Sequence, residues 1–196
     1  MTATDDGDAL DAASLRALLP MSIDARIATL EVVDAIDSTN SELLRRRTPA
    51  DGIVVLFAER QSGGRGRHGR VWASPPGGNL YLSLARCFGH GPLARLGGLS
   101  LAVGVAATEA LRALGADAVR VKWPNDLVVI DHNRMTKLGG VLIEGGLQDG
   151  RPRAVIGLGL NLRMPEGVVD VIDQPWTDLR TLLAIPANYK VLFLQG

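Results

Sequence analysis

The groups best suited to chemistry crowd into residues Arg60 to Trp72 (RQSGGRGRHGRVW), where Gly63, Gly64, Gly66 and Gly69 alternate with Arg65, Arg67 and Arg70. Glycines let backbone amides approach an anion closely, and arginines add charge and forked donors, so the segment suits a phosphate or carboxylate held under a loop. Between Glu59 and Arg70 four arginines stand against one glutamate, a local excess of three positive charges in a chain whose 21 Lys and Arg balance 21 Asp and Glu. A solvated linker with its arginines in water is the plainer reading, and an RG-rich nucleic-acid contact one loop long is a third. No Gly-Lys-Ser/Thr ending follows the glycines, so the segment is not a nucleoside-triphosphate P-loop.

Three later segments carry further candidates. In Val121 to Leu127 (VKWPNDL) Pro124 fixes the backbone after a strand, Lys122 sits beside Trp123, and Asn125 and Asp126 present an amide and a carboxylate. A tight turn with Asn and Asp chosen for its geometry explains the same residues. In Lys137 to Glu144 (KLGGVLIE) a lysine precedes Gly139 and Gly140 at the mouth of an apolar strand, where a lysine is ordinarily solvated. In Ile156 to Leu162 (IGLGLNL) Gly157 and Gly159 alternate along a strand, leaving one sheet face open to a flat ligand or to another backbone.

The elements that must position these groups follow from periodicity and punctuation. Residues 1–7 read as a tail, and Asp8 to Leu19 as a short helix ended by Pro20. Ile27 to Ile36 is β-branched and reads as a strand; Asp37-Ser38-Thr39-Asn40 then offers four successive capping residues before the helical SELLRRR. Gly52 to Ala58 and Asn79 to Cys87 read as strands on either side of the glycine-arginine loop. Pro92 to Leu114 has leucines and alanines at helical spacing and reads as the longest helix. Four strands follow, over Ala118 to Lys122, Asp126 to Ile130, Lys137 to Leu147 and Arg153 to Leu160, the last two forming an antiparallel hairpin across Asp149-Gly150. A run of strands with helices set apart predicts an α+β domain with a mixed or antiparallel sheet.

Composition narrows the function classes. Zero net charge excludes a globally basic nucleic-acid binder, though not a local basic patch. One cysteine, Cys87, excludes an intrachain disulfide and a cysteine-cluster zinc site, and three histidines leave few metal ligands, so no protein-bound metal is expected. The acidic N-terminus and the lack of an uninterrupted apolar run of about 18 residues support neither a signal peptide nor a membrane span, which favours the cytoplasm.

Six segments together carry a resemblance. Asp37-Ser38-Thr39-Asn40, Gln61 with GGRGRHGRVW, GGNLYLSL (Gly77 to Leu84), KWPNDL, KLGGVLIE and IGLGLNL occur in the order and approximate spacing of the biotin protein ligase catalytic domain. The chain resembles that family from about Ile27 to about Arg180, and GRGRHGR and KWPNDL distinguish biotin ligases from the related lipoate ligases. The resemblance implies the biotin/lipoate ligase fold, a mixed, largely antiparallel sheet with helices packed on one side. It divides the chain into a tail and short helix (1–26), a catalytic domain (27–185) and an atypical C-terminal tail (186–196).

The implied activity joins biotin to ATP as biotinyl-5'-adenylate and then transfers biotin to a lysine of a biotin carboxyl carrier domain, with Mg2+ accompanying ATP. A carboxylate nucleophile is already ionised, so a site rich in Arg, Lys and glycine amides fits this chemistry without a Ser/His/Asp set or paired acids. Ser38, Thr39, Asn40 and Gln61 match positions at biotin's ureido head; Gly64, Arg65 and Arg67 match the covering loop; Gly139, Gly140, Gly157 and Gly159 match the biotin floor. Lys137 matches the lysine at the reacting carboxylate and α-phosphate and, with Arg67, is the catalytic candidate. Trp72 matches an aromatic near adenine; Arg67, His68, Arg70, Lys122, Asn125, Asp126 and Asn161 fall on the nucleotide side, Asp126 as an organiser rather than a proton acceptor.

Position 68 departs from the family in having His where many relatives have another basic residue, which alters tuning more than identity. The roughly 26 residues before the first matched strand are too few for a winged helix-turn-helix, so DNA binding is not expected. The ending IPANYKVLFLQG stands where the family continues into an SH3-like domain, and reads as a natural truncation, a frameshifted tail or an artificial boundary. Biotin binding is accordingly expected to survive better than transfer. A sheet edge beside the site suits either a homodimer or a carrier hairpin. A lipoate ligase, a non-catalytic biotin-binding module and nucleic-acid binding through the Arg60 to Arg70 loop are the competing readings.

Overall fold

The computed structural model describes residues 10–75, 79–132, 134–163, 177 and 182. The expected tail at 1–7, the domain limit at 185 and the C-terminal tail 186–196 lie outside them, as do Gly77 and Gly78 of the GGNLYLSL segment.

Seven strands form one sheet: β1 (Ile27–Val33), β2 (Ile53–Ala58), β3 (Asn79–Cys87), β4 (Val119–Lys122), β5 (Asp126–Asp131), β6 (Arg134–Gln148) and β7 (Arg151–Asn161). Their order is β1-β2-β3-β7-β6-β5-β4. Only β1 and β2 run parallel, and every other neighbouring pair is antiparallel. The parallel pair needs a crossover, which α3 (Thr39–Arg45) supplies. Among the described residues the other named α-helices are α1 (Ala12–Ala17), α2 (Met21–Asp24) and α4 (Leu99–Ala113). The mixed, largely antiparallel α+β sheet is therefore as expected.

The placement of the helices is not. Along β7, Val155 packs with Leu43 of α3, whereas its neighbour Ile156 packs with Val103 of α4. Adjacent strand residues point to opposite faces, so α3 and α4 cover opposite faces of the sheet rather than one side. The expectation fails because a crossover helix and a later helix have similar apolar stripes, and nothing in either stripe names the face it will meet. Burying a leucine such as Leu43 contributes on the order of 1.5–3 kcal/mol.

Local boundaries also shift. Asp11 caps α1 by accepting from the Ser14 N–H at 2.7 Å, so that helix starts later than Asp8. The predicted Pro92 to Leu114 helix breaks at Gly97 and Gly98, with a 3-10 turn over Leu93–Leu96 before α4. Against the sequence expectation, the 21 residues Leu93–Ala113 do reach the length and mean hydropathy (1.2) of a membrane span. The two glycines divide them, and Val103 and Leu111 pack on the sheet.

One irregularity matters for the site. In the β5–β6 pair Leu127 faces Gly139 but Val128 faces Lys137, leaving Leu138 as an extra residue in a β-bulge. The bulge sends the fully buried Leu138 into the core with Leu127 and turns Lys137 onto the face that Gly140 shares.

Candidate active site

A cavity of about 550 Å³ lies over the α3 face of the sheet, within the size range of small-molecule sites. Its neutral end is built by the start of α3. Ser38 is the N-cap, and its hydroxyl accepts from the Ser41 N–H at 3.4 Å. Gln61 Oε1 accepts from the Thr39 N–H at 2.8 Å and the Thr39 hydroxyl at 3.1 Å, while Gln61 Nε2 donates to Ser74 Oγ at 3.3 Å. The Ser83 hydroxyl, fully buried on β3, donates to Asn40 Oδ1 at 2.6 Å and lies 2.7 Å from Thr39 Oγ1. Asn40 Nδ2 in turn donates to Leu142 O at 3.3 Å and to Glu144 Oε2 at 3.0 Å.

The glycine-arginine loop closes over this face as a small hairpin. Gly66 N–H donates to Arg70 O at 2.7 Å, and Trp72 N–H donates to Gly64 O at 2.9 Å. His68 and Gly69 at the tip both have positive φ, 57° and 75°, a conformation that suits Gly best and His better than most side chains. Arg65 pairs with Glu144 at 2.7 Å, and Arg67 donates to Asn125 Oδ1 at 3.3 Å. Arg70, His68 and Lys122 are exposed on the cavity wall.

At the other end Lys137 Nζ lies 2.8 Å from Asp126 Oδ1 and 5.3 Å from the centre of the Trp72 ring. Side-chain exposures of 17% and 21% make this the best-shielded ion pair among the described residues, so its attraction is screened less than that of a surface pair. Asn125 is locked to β6 by Nδ2 donating to Val141 O at 2.9 Å, and Asn161 Nδ2 donates to Lys137 O at 3.2 Å. The floor requires glycine: a Cβ on Gly157 would run into the Asn40 amide, 2.9 Å from its Cγ, and one on Gly159 would stand 2.8 Å from the Trp72 indole. The Trp72 Nε1–H is buried without a partner beside this floor. Tyr81, on the same face, has its hydroxyl pKa pushed up to about 12 by burial.

The structure thus gathers Ser38, Thr39, Asn40 and Gln61 at one end of the cavity. Arg65, Arg67, His68, Arg70 and Trp72 come in from the loop, and Lys122, Asn125, Asp126, Lys137, Gly140, Gly157, Gly159 and Asn161 from the sheet and its turns. Gly64 and Gly139 do not line it. A Cβ on Gly64 would strike Ser74 Oγ and Trp72 O, each at 2.7 Å; one on Gly139 would strike Gly159 O at 2.5 Å. Both are packing glycines beside the wall, and ordinary strand alternation puts Gly139, opposite Leu160, on the other face from Gly140. Ser83, Glu144 and Trp123 were not singled out from the sequence. For Glu144 a signal existed: strand alternation places it on the face of Gly140, an odd place for a lone carboxylate in an apolar run. Among the described residues no three His, Cys, Asp or Glu side chains gather to hold a metal ion.

The profile of the biotin/lipoate A/B protein ligase family matches residues 32–161. The chain belongs to that family. It is 44% identical over 169 residues to the bifunctional ligase/repressor BirA of Salmonella typhimurium, covering 82% of this chain and 51% of that protein. It is 38% identical to the biotin--[acetyl-CoA-carboxylase] ligase of Mycobacterium tuberculosis, covering 72% and 52% respectively. The chain therefore spans about half the length of these curated relatives. Among solved structures, the biotin protein ligase from Aquifex aeolicus in complex with biotin and ATP is 28% identical with a TM-score of 0.61, covering 81% of this chain and 62% of that one. The Leishmania major enzyme in complex with biotinyl-5-AMP gives 27% and 0.61, covering 80% and 65%.

Proposed function

We propose that this chain activates biotin with ATP and passes the biotinyl group to a lysine of a biotin carboxyl carrier domain. The observation that carries the reading is a single cavity with a neutral hydrogen-bonding end at Thr39, Asn40 and Gln61 and a cationic end at Lys137, Arg67 and Arg70. A ureido head is neutral and needs paired donors and acceptors; a carboxylate meeting a triphosphate needs positive charge. Relatives named as biotin ligases and a neighbour holding biotin and ATP support the same reading, and support for the lipoate alternative is weaker.

In the first step a biotin carboxylate oxygen attacks the α-phosphorus, the bond to the bridging oxygen breaks, and pyrophosphate leaves. Lys137, steadied by Asp126, stabilises the charge gathering on the α-phosphate oxygens, and Arg67 assists from the loop. Trp72 packs against the base, and Asn125, Asn161, His68, Arg70 and Lys122 complete the nucleotide side. In the second step the neutral amine of the carrier lysine attacks the acyl carbon, AMP leaves with the electron pair of the broken acyl–oxygen bond, and the proton lost from the amine nitrogen passes to water. Mg2+ accompanying ATP would neutralise charge on the phosphates, a task that Lys137 and Arg67 would share. The ATP requirement favours a cytoplasmic setting. β4 at one sheet edge, next to the Trp123–Pro124 turn, offers backbone groups to a carrier hairpin or to a second copy.

Biotin-dependent exchange between ATP and labelled pyrophosphate, run beside carrier biotinylation, tests the reading. Exchange with biotin and none with lipoate is expected; no exchange with biotin would overturn it.

A further inference from the structure

Glu144 stands in the middle of β6 on the cavity face, two residues beyond Leu142 and four beyond Gly140. Its Oε2 accepts from Arg65 Nη2 at 2.7 Å and from Asn40 Nδ2 at 3.0 Å. One oxygen thus ties together the covering loop, the start of α3 and the sheet. Among the described residues this is the loop's one ion pair. A half-buried carboxylate in an apolar strand is costly without such partners, and packing alone would be served by a leucine.

The carboxylate also fixes a direction. It accepts only, as does Leu142 O, so Asn40 must turn its amide nitrogen toward β6 and its oxygen toward Ser83. Asn40 is 4% exposed and wedged over Gly157, leaving it no solvent in which to flip freely. The charge at Glu144 therefore determines which atoms the Asn40–Ser83–Thr39 network offers at the neutral end, while holding Arg65 beside it.

We infer that Glu144 is a positioning residue of the biotin end, latching the 60–72 loop through Arg65 and orienting the Asn40 amide. This rests on the function proposed above and adds to it the group that organises ligand recognition. The test compares Glu144→Gln, Arg65→Gln and the double variant in pyrophosphate exchange, together with limited trypsin cleavage after Arg67 and Arg70 in unliganded wild type and Glu144→Gln. Each single variant is expected to raise KM for biotin about fivefold, the size of one partly shielded ion pair, with kcat at saturating biotin changed less than twofold. The double variant should be little worse than either single one, and loop cleavage should quicken about fivefold in Glu144→Gln while Tm is unchanged. Multiplying effects in the double variant, or unchanged loop cleavage, would overturn the latch. If wild type shows no biotin-dependent exchange the function fails separately, and the cleavage rates alone decide the latch.

Discussion

At one end of the cavity Ser38, Thr39 and Asn40 are all under 5% exposed and hydrogen-bonded into the fold; at the other, Arg67, His68, Arg70 and Lys122 stand in solvent. The neutral end can be buried ahead of any ligand because amides and hydroxyls satisfy one another at little electrostatic cost. Free cations cannot be buried that way, since each would lose its hydration with nothing in exchange. Only Lys137 is shielded, and it has Asp126 at 2.8 Å. The contrast separates two tasks: selection by fixed geometry, and charge stabilisation by groups that keep their water until an anion arrives.

Four changes would break or sharpen that contrast. The largest effect is expected from Lys137→Ala, which should lower exchange by roughly 10²–10³-fold, as for other lost transition-state donors, with Tm nearly unchanged. Near-normal exchange would remove the lysine from the chemistry. At the neutral end, Gly157→Ala drives a methyl group into the Asn40 amide and should cost about 1–3 kcal/mol of stability. Calorimetry should show weaker biotin binding for this variant while ATP binding changes little; an equal loss of both would dissolve the distinction between the ends. Ser83→Ala leaves Asn40 Oδ1 without its donor and should cost about 1–2 kcal/mol in thermal unfolding.

The smallest effect concerns Asp37, just before the α3 cap, whose carboxyl is lowered to about 2 by its hydrogen bonds to Arg45 and to the Ser38 N–H. A depressed carboxyl stabilises the fold above its ordinary pKa near 3.8 and loses that contribution as pH falls through about 2. The side chain is half exposed and screened, so Asp37→Asn should lower Tm by about 2 °C or less at pH 6, with most of that difference gone at pH 2. A difference as large at pH 2 as at pH 6 would show that charge is not its cause.

Much of this was legible in the chain. The strand at Asn79–Cys87 has the predicted bounds, Ser38 caps the helix that follows β1, and β6 and β7 form the expected hairpin. Local signals sufficed there, because alternation, caps and turns are written within a few residues. β3 shows where they stop. Its leucines suggest the core side, yet its deepest face is Asn79, Tyr81, Ser83, Ala85 and Cys87, buried because α3 and the site lie over it. Arg65 meets Glu144 and Ser83 meets Asn40 across long stretches of sequence, and no local pattern encodes such meetings. The Gly97–Gly98 break escaped because two glycines leave the apolar spacing intact.

The extra residue at Leu138 makes the position of Lys137 a matter of parity. In a regular strand, three steps back from Gly140 would end on the opposite side of the sheet, with the ammonium aimed at Leu127 and Val119. Straightening the bulge without changing the strand's length would exchange a shielded charge for a misplaced leucine with every letter intact, whereas deleting Leu138 would leave Lys137 two steps from Gly140 and still on the cavity side. Here a break in the alternation, more than composition, keeps the lysine facing the cavity.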